Sequence, residues 1–250
     1  MTLYEDLQAF QDAWAQTYKR LAKLFSTKLP SGSGKLVELG CGKGQLTIPL
    51  AKTALHYKIL GIDNYSGPYS RDLRSLKTAL GSSGLMKRVQ VIMSDAVRWL
   101  ERQRESTYNV IVSSEFLCEM DSKGMQHVFG ECHRVLKPGG VTIHSFLSPN
   151  PRNDCQRLLI EADSNPKWTR HPPLEWFSPP PDLVLQQMEA AGFRGLKVST
   201  SRNHMRAKAH AAKALLESYG VRPAFWKRHR EQLMTSGLEM PDWVVTWGTK

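Results

Sequence analysis

Leu36-Val37-Glu38-Leu39-Gly40-Cys41-Gly42-Lys43-Gly44-Gln45 decides how this 250-residue chain is read. A short apolar run ends in three alternating glycines, and residues 45–52 then read as a helix. Glycine lets a turn tighten and lets a ligand come close to bare backbone. Nineteen residues after Gly44, Asp63 closes a second apolar run, Ile59-Leu60-Gly61-Ile62. An acid at that place can accept both hydroxyls of a ribose, so this strand–turn–helix unit predicts a nucleoside ligand.

Two details narrow the nucleoside. The dinucleotide fingerprint G-x-G-x-x-G would place its third glycine at 45, where the chain has Gln45; the glycine falls at 44. Glu38 stands two residues before the first glycine. A carboxylate there repels a pyrophosphate but suits a ligand with an ammonium group. S-adenosylmethionine carries an ammonium, a sulfonium, a ribose and an adenine. On these residues the chain resembles the class I S-adenosylmethionine-dependent methyltransferases. The resemblance implies that Glu38 serves the methionine end and Asp63 the ribose, with Gly40, Cys41 and Gly42 against the cofactor and Asn64 beside the adenosine. Another nucleotide in a generic Rossmann-type turn is the alternative.

Working outward, strands are expected at 35–39, 58–63, 89–93, 108–113 and 141–146, with helices between them. Apolar strands alternating with helices imply a parallel sheet covered on both faces. His133-Arg134-Val135-Leu136-Lys137-Pro138-Gly139-Gly140 is also similar to the family; physically it is a helix stop and a sharp return. A helix is expected over 180–192, and further strands over 193–200 and 242–248. The fold class is α/β, a Rossmann-like, seven-stranded, mostly parallel sheet flanked by helices. The family joins its last two strands by a short connection; here about forty residues intervene, with helix-like segments near 206–219 and 224–235. The expected organisation is an N-terminal helical cap (1–30), a core (31–202 and 241–250) and a basic helical insertion acting as a lid (203–240).

Asp95 ends the strand at 89–93. By resemblance it accepts from the adenine amino group while the Ala96 amide meets a ring nitrogen; capping the next helix is the bland role, and both can hold. Ser113-Ser114-Glu115-Phe116-Leu117-Cys118-Glu119 follows a strand whose carboxyl end should face the cofactor. Glu115 is a candidate for the methionine end or for a base, and Glu119 for the substrate side. Methyl transfer from a sulfonium needs placement more than acid–base help, and a base only for a protonated nucleophile. His144, Glu115, His171 and His204 are the candidates. Tyr18 could close over the cofactor. Trp176, Arg202 and Arg206 are expected at the substrate.

The chain lacks the N-P-P-Y or D-P-P-Y signature of amino methyltransferases acting on nucleic-acid bases. No apolar run approaches the ~18 residues of a membrane span. Cys41, Cys118, Cys132 and Cys155 show no C-x-x-C or other metal-ligand pairing, which reads as a cytosolic chain with free thiols and no metal. The net charge is +11, and residues 202–232 concentrate eight Lys/Arg against two Glu. Solvated helix faces explain this blandly; a wall near the site would attract an anion or nucleic acid. The expected activity is methyl transfer to a small-molecule acceptor. Its rivals are an RNA or protein methyltransferase using the basic insertion, and a cofactor-binding regulatory protein without turnover.

Overall fold

The computed structural model describes residues 2–4, 6–65, 72–165, 167–168, 178–203 and 205–250. The chain begins with β1 (Thr2–Tyr4) and α1 (Leu7–Ser26), then runs through β2 (Gly34–Leu39), α2 (Thr47–Thr53), β3 (Tyr57–Asp63) and α3 (Asp72–Ser82). It continues with β4 (Val89–Met93), α4 (Ala96–Glu101), β5 (Tyr108–Ser114), α5 (Ser122–Val135), β6 (Leu136–Leu147) and α6 (Asp154–Ser164). Last come α7 (Pro181–Ala190), β7 (Arg194–Ser201), β8 (Met205–Ala207), α8 (Ala209–Ser218), α9 (Pro223–Arg228), α10 (Arg230–Thr235), β9 (Leu238–Glu239) and β10 (Trp243–Thr249).

The seven-stranded sheet has the order β4-β3-β2-β5-β6-β10-β7. Strands β2 to β6 are parallel, and β10 runs antiparallel to both β6 and β7. Strand order reverses between β2 and β5. The crevice beyond their carboxyl ends is therefore where an open α/β sheet takes its ligand. Apolar residues point both ways from the central strands. Leu36, Val110, Val112 and Ile143 pack under α1, α2 and α3, and Val37, Leu39, Ile111 and Phe146 pack under α4, α5 and α7.

Local chemistry sets the element ends. Asp6 caps α1 by accepting from Ala9 N–H at 2.8 Å, and Tyr18, Leu21, Ala22 and Phe25 form its buried stripe. Arg134 donates to the carbonyls of Leu100 and Gln103 at 2.9 and 2.8 Å, holding the end of α4. The helix stop before Pro138 is sharper than the sequence suggests: Val135 ends α5 and Leu136 already pairs with Tyr108.

The N-terminal segment and the insertion form one unit. β8 pairs in parallel with β1 and antiparallel with β9. Phe10, Leu158, Ala212, Leu216, Phe225 and Leu233 share a third apolar cluster there. Three expectations change. Residues 205–207 are strand, so the helix near 206–219 begins only at 209. The helix near 224–235 divides at His229 into α9 and α10. Helix α6 has no counterpart in the sequence reading, and it supplies Leu158 and Ala162 to this cluster.

A buried polar network joins this unit to the sheet. Arg152 donates to Asp242 Oδ2 at 2.9 Å and to Glu239 Oε1 at 2.8 Å, and Arg206 donates to Glu239 Oε2 at 2.9 Å. Asn203 N–H donates to Asp242 Oδ1 at 2.9 Å. Burial alone would raise the Asp242 carboxyl, but Arg152 and the Asn203 amide outweigh it and hold it below the usual range.

Phe225 is fully buried in the third cluster. Phe225→Ala should cost about 3–5 kcal/mol of stability through lost burial and the cavity left behind. Urea unfolding checks this, and a loss under about 1 kcal/mol would show that the cluster is loosely packed.

Candidate active site

The glycine turn follows β2. Gly40, Gly42 and Gly44 have φ of +72°, +45° and +85°, in the left-handed region that other residues avoid. A Cβ on Gly44 would collide with the Leu76 side chain of α3. Gly40 and Cys41 N–H both donate to the Ile62 carbonyl, at 2.8 and 3.1 Å. Asp63, ending β3, completes the tie: Oδ2 accepts from Gly42 N–H and Oδ1 from Tyr65 N–H, both at 2.8 Å. The carboxylate is thus held in one orientation, with each oxygen keeping a lone pair for a ligand.

Glu38 is 1% exposed on β2. Burial pushes its carboxyl up to about 8; the Thr47 hydroxyl opposes this and the Asp63 charge adds to it. Oε2 still completes no hydrogen bond with any described residue. An unpartnered buried carboxyl oxygen beside three left-handed glycines and an oriented Asp63 fits a cationic nucleoside. Glu38 would take the ammonium, Asp63 the ribose hydroxyls, and the bare Gly40–Gly42 backbone would let the ligand approach.

Glu115 follows β5 with φ +58°, unusual for a residue with a side chain. Its amide donates to the Ser145 carbonyl at 2.9 Å, and its Oε1 accepts from Leu147 N–H at 2.9 Å. Burial raises its carboxyl to about 8; the Leu147 N–H lowers it, while Asp163 and Glu119 raise it. Tyr18 of α1 is buried, and burial first and then the Glu115 and Glu38 charges raise its hydroxyl above the usual range. Glu119 sits more openly in the short 3-10 turn Leu117–Glu119; its carboxyl is raised by shielding and then by the Asp63 charge. Cys41 Sγ lies 3.3 Å from the Tyr65 hydroxyl. Glu38, Cys41, Asp63, Glu115, Glu119 and Tyr18 therefore gather around the carboxyl ends of β2, β3 and β5. Asn64 is exposed directly after Asp63.

Asp95 caps α4, accepting from Arg98 N–H at 2.9 Å, with Ala96 buried beside it. His144 is a correction. It lies fully buried within β6, its Nδ1 2.8 Å from Ser113 Oγ, its Nε2 2.6 Å from Thr142 Oγ1, and its ring on Phe129. Burial lowers its pKa to about 3. With both nitrogens engaged inside the sheet it is a structural histidine and not a base. Arg206 has one guanidinium nitrogen on buried Glu239 Oε2, at 2.9 Å. Arg202 is exposed and lines a cavity between α1 and β7. Trp176, His171 and His204 lie outside the described residues. Sequence reading missed Ser114, Tyr65 and Asp163. Ser114 and Tyr65 neighbour residues that were singled out; Asp163 carried no local signal.

Among the described residues no group of three His, Cys, Asp or Glu could hold a metal ion, and no helix is long and apolar enough to cross a membrane. The sheet order and the glycine turn after β2 give the chain the class I methyltransferase fold. Residues 36–140 match the family described as "Methyltransferase domain". The chain is similar to the tRNA N(3)-methylcytidine methyltransferase Mettl2 of Drosophila melanogaster, 30% identical over 144 residues, 55% of this chain and 42% of that one. It is also similar to the biotin biosynthesis bifunctional protein BioHC of Saccharophagus degradans, 28% identical over 162 residues, 61% of this chain and 25% of that one. The chain thus spans less than half the length of either. A putative methyltransferase structure from Bacillus halodurans shares the fold at TM-score 0.65 and 14% identity, covering 92% of this chain and 98% of that one.

Glu38 and Glu115 imply a pH dependence of stability. Each binds its proton more tightly folded, at about 8, than unfolded, near the ordinary 4.5. Their contribution is therefore full below about pH 4.5 and is lost as pH rises through about 8. The melting temperature of the ligand-free protein should fall across that window, and Glu38→Gln should flatten the fall. An unchanged slope in the variant would show that Glu38 is already ionised.

Proposed function

We propose that this chain transfers the methyl group of S-adenosylmethionine to a small-molecule acceptor by in-line displacement. The observation that carries the reading is the buried Glu38 carboxyl, unpartnered at Oε2 beside the glycine turn. When bound, the cofactor supplies a methyl group already activated by a positive sulfur. The chain's part is to orient, to exclude water and, for some acceptors, to take a proton. Glu38 fixes the ammonium, Asp63 the ribose, and Asp95 with the Ala96 amide the adenine. Tyr18 covers the site from α1. Glu115 is placed to accept a proton from the nucleophile, because a carboxyl near pKa 8 is well matched to neutral pH. The cap built from β1, α6 and the insertion acts as the lid, and Glu119 borders the acceptor.

The name of the Drosophila relative favours a second reading, an RNA acceptor. The placement of the basic residues supports the small molecule. Arg206 is paired with Glu239, Lys213 lies 3.8 Å from Glu217, and Arg228 sits over the Trp168 ring. These three are engaged in separate contacts.

Calorimetry should show binding of S-adenosylhomocysteine and none of NAD. It should also show proton release near neutral pH, because an ammonium on Glu38 draws its carboxyl down. Asp63→Ala should weaken binding by roughly 1.5–3 kcal/mol, the scale of hydrogen bonds to a charged group. Tight NAD binding, or cofactor binding without proton release, would contradict this assignment.

The acceptor class is separable by salt. Each neutralised phosphate of a single strand contributes about −0.7 to the slope of log affinity against log salt. RNA binding should be weak and should vanish near physiological salt. Submicromolar, salt-resistant binding with methyl transfer to RNA would establish the second reading instead.

A further inference from the structure

A cavity of about 340 Å³ lies between α1 and the carboxyl end of β7, lined by Thr17, Arg20, Leu24, Arg202, Asn203 and Trp243 among others. None of the glycine turn, Glu38, Asp63 or Glu115 lines it. Arg20 and Arg202 are both exposed at its mouth, and neither has an ion-pair partner among the described residues. Two cations facing one cavity without a carboxylate are a recognition element for an anion.

The wall makes a second, independent demand. Trp243 is 3% exposed and Asn203 1% exposed, yet the Trp243 indole N–H and Asn203 Oδ1 have no partner among the described residues. Ser199 Oγ, also in the lining, has none either. Asn203 cannot simply turn to satisfy its oxygen. Its amide nitrogen donates to the Pro241 carbonyl at 3.2 Å and its backbone N–H to Asp242 at 2.9 Å. One donor and one acceptor thus stay unsatisfied just behind the wall, a cost that a side-chain adjustment onto a polar ligand would relieve. Leu21, Leu24 and Trp243 line the same cavity and make one side of it apolar.

We propose that this cavity is a second ligand site, taking a small molecule that joins a carboxylate or phosphate to a flat apolar body. The arginines hold the anion and the Trp243 side holds the ring. The site does not depend on methyl transfer or on the cofactor.

The test is calorimetry on the full chain with benzoate and phenyl phosphate as probes and benzylamine as the cationic control. Saturable binding of at least one anion is expected, persisting under saturating S-adenosylhomocysteine, with none of benzylamine. Arg202→Glu and Arg20→Glu, both exposed substitutions, should each weaken it by about tenfold or more. The better-bound probe distinguishes a carboxylate ligand from a phosphate one. The proposal is overturned if neither anion saturates below about 10 mM, if both variants, shown folded by circular dichroism, bind as the parent does, or if S-adenosylhomocysteine displaces the probe.

Discussion

A carboxyl group sealed inside a sheet with no countercharge is expensive, and Glu38 is such a group. In the free protein the cost is limited by keeping the proton, which is why its pKa rises to about 8. Everything at the carboxyl end of the sheet is arranged around that group. The glycine turn begins two residues later, and Asp63 holds the turn to β3 through Gly42 N–H. Glu115 repeats the device one strand over, also near 8, with only acidic charges acting on it. Glu38 and Glu115 thus set two buried carboxyls around one crevice, each able to give up its proton near neutral pH.

The unit built from β1, β8, β9 and the helices around them is held to the core by charge as well as by apolar packing. Arg152, Glu239, Asp242 and Arg206 form a chain of part-buried ion pairs linking the start of β10 to β8 and the N-terminal side of α6. Removing one partner would strand a charge in a dry environment, a far larger penalty than the pair's net gain. Such a joint favours one register of that unit on the core.

The sheet was legible because its signals are local. Short apolar runs ending in glycine or an acid gave β2, β3, β4 and β5, and the long connection between β7 and β10 stood out against the family pattern. The glycines, Glu38 and Asp63 were legible because left-handed turns and strand-end acids need particular residues at particular spacings. What stayed hidden was non-local. Three-residue strands such as β1 and β8 carry no period, and they form only because each finds the other across the chain. His144 looked available in the run Val141 to Phe146; that Ser113 and Thr142 occupy its two nitrogens follows from strand register and burial. Arg206 looked like an anion binder, and its partner Glu239 lies on another strand of the small sheet.

The most direct measurement of the central claim is a crystal structure with S-adenosylhomocysteine bound. The account predicts its amino group within hydrogen-bond reach of Glu38, its ribose hydroxyls on Asp63, and its sulfur facing the space bounded by Tyr18 and Glu115. Density for the ligand elsewhere, or a Glu38 carboxyl still without a partner beneath it, would contradict the account.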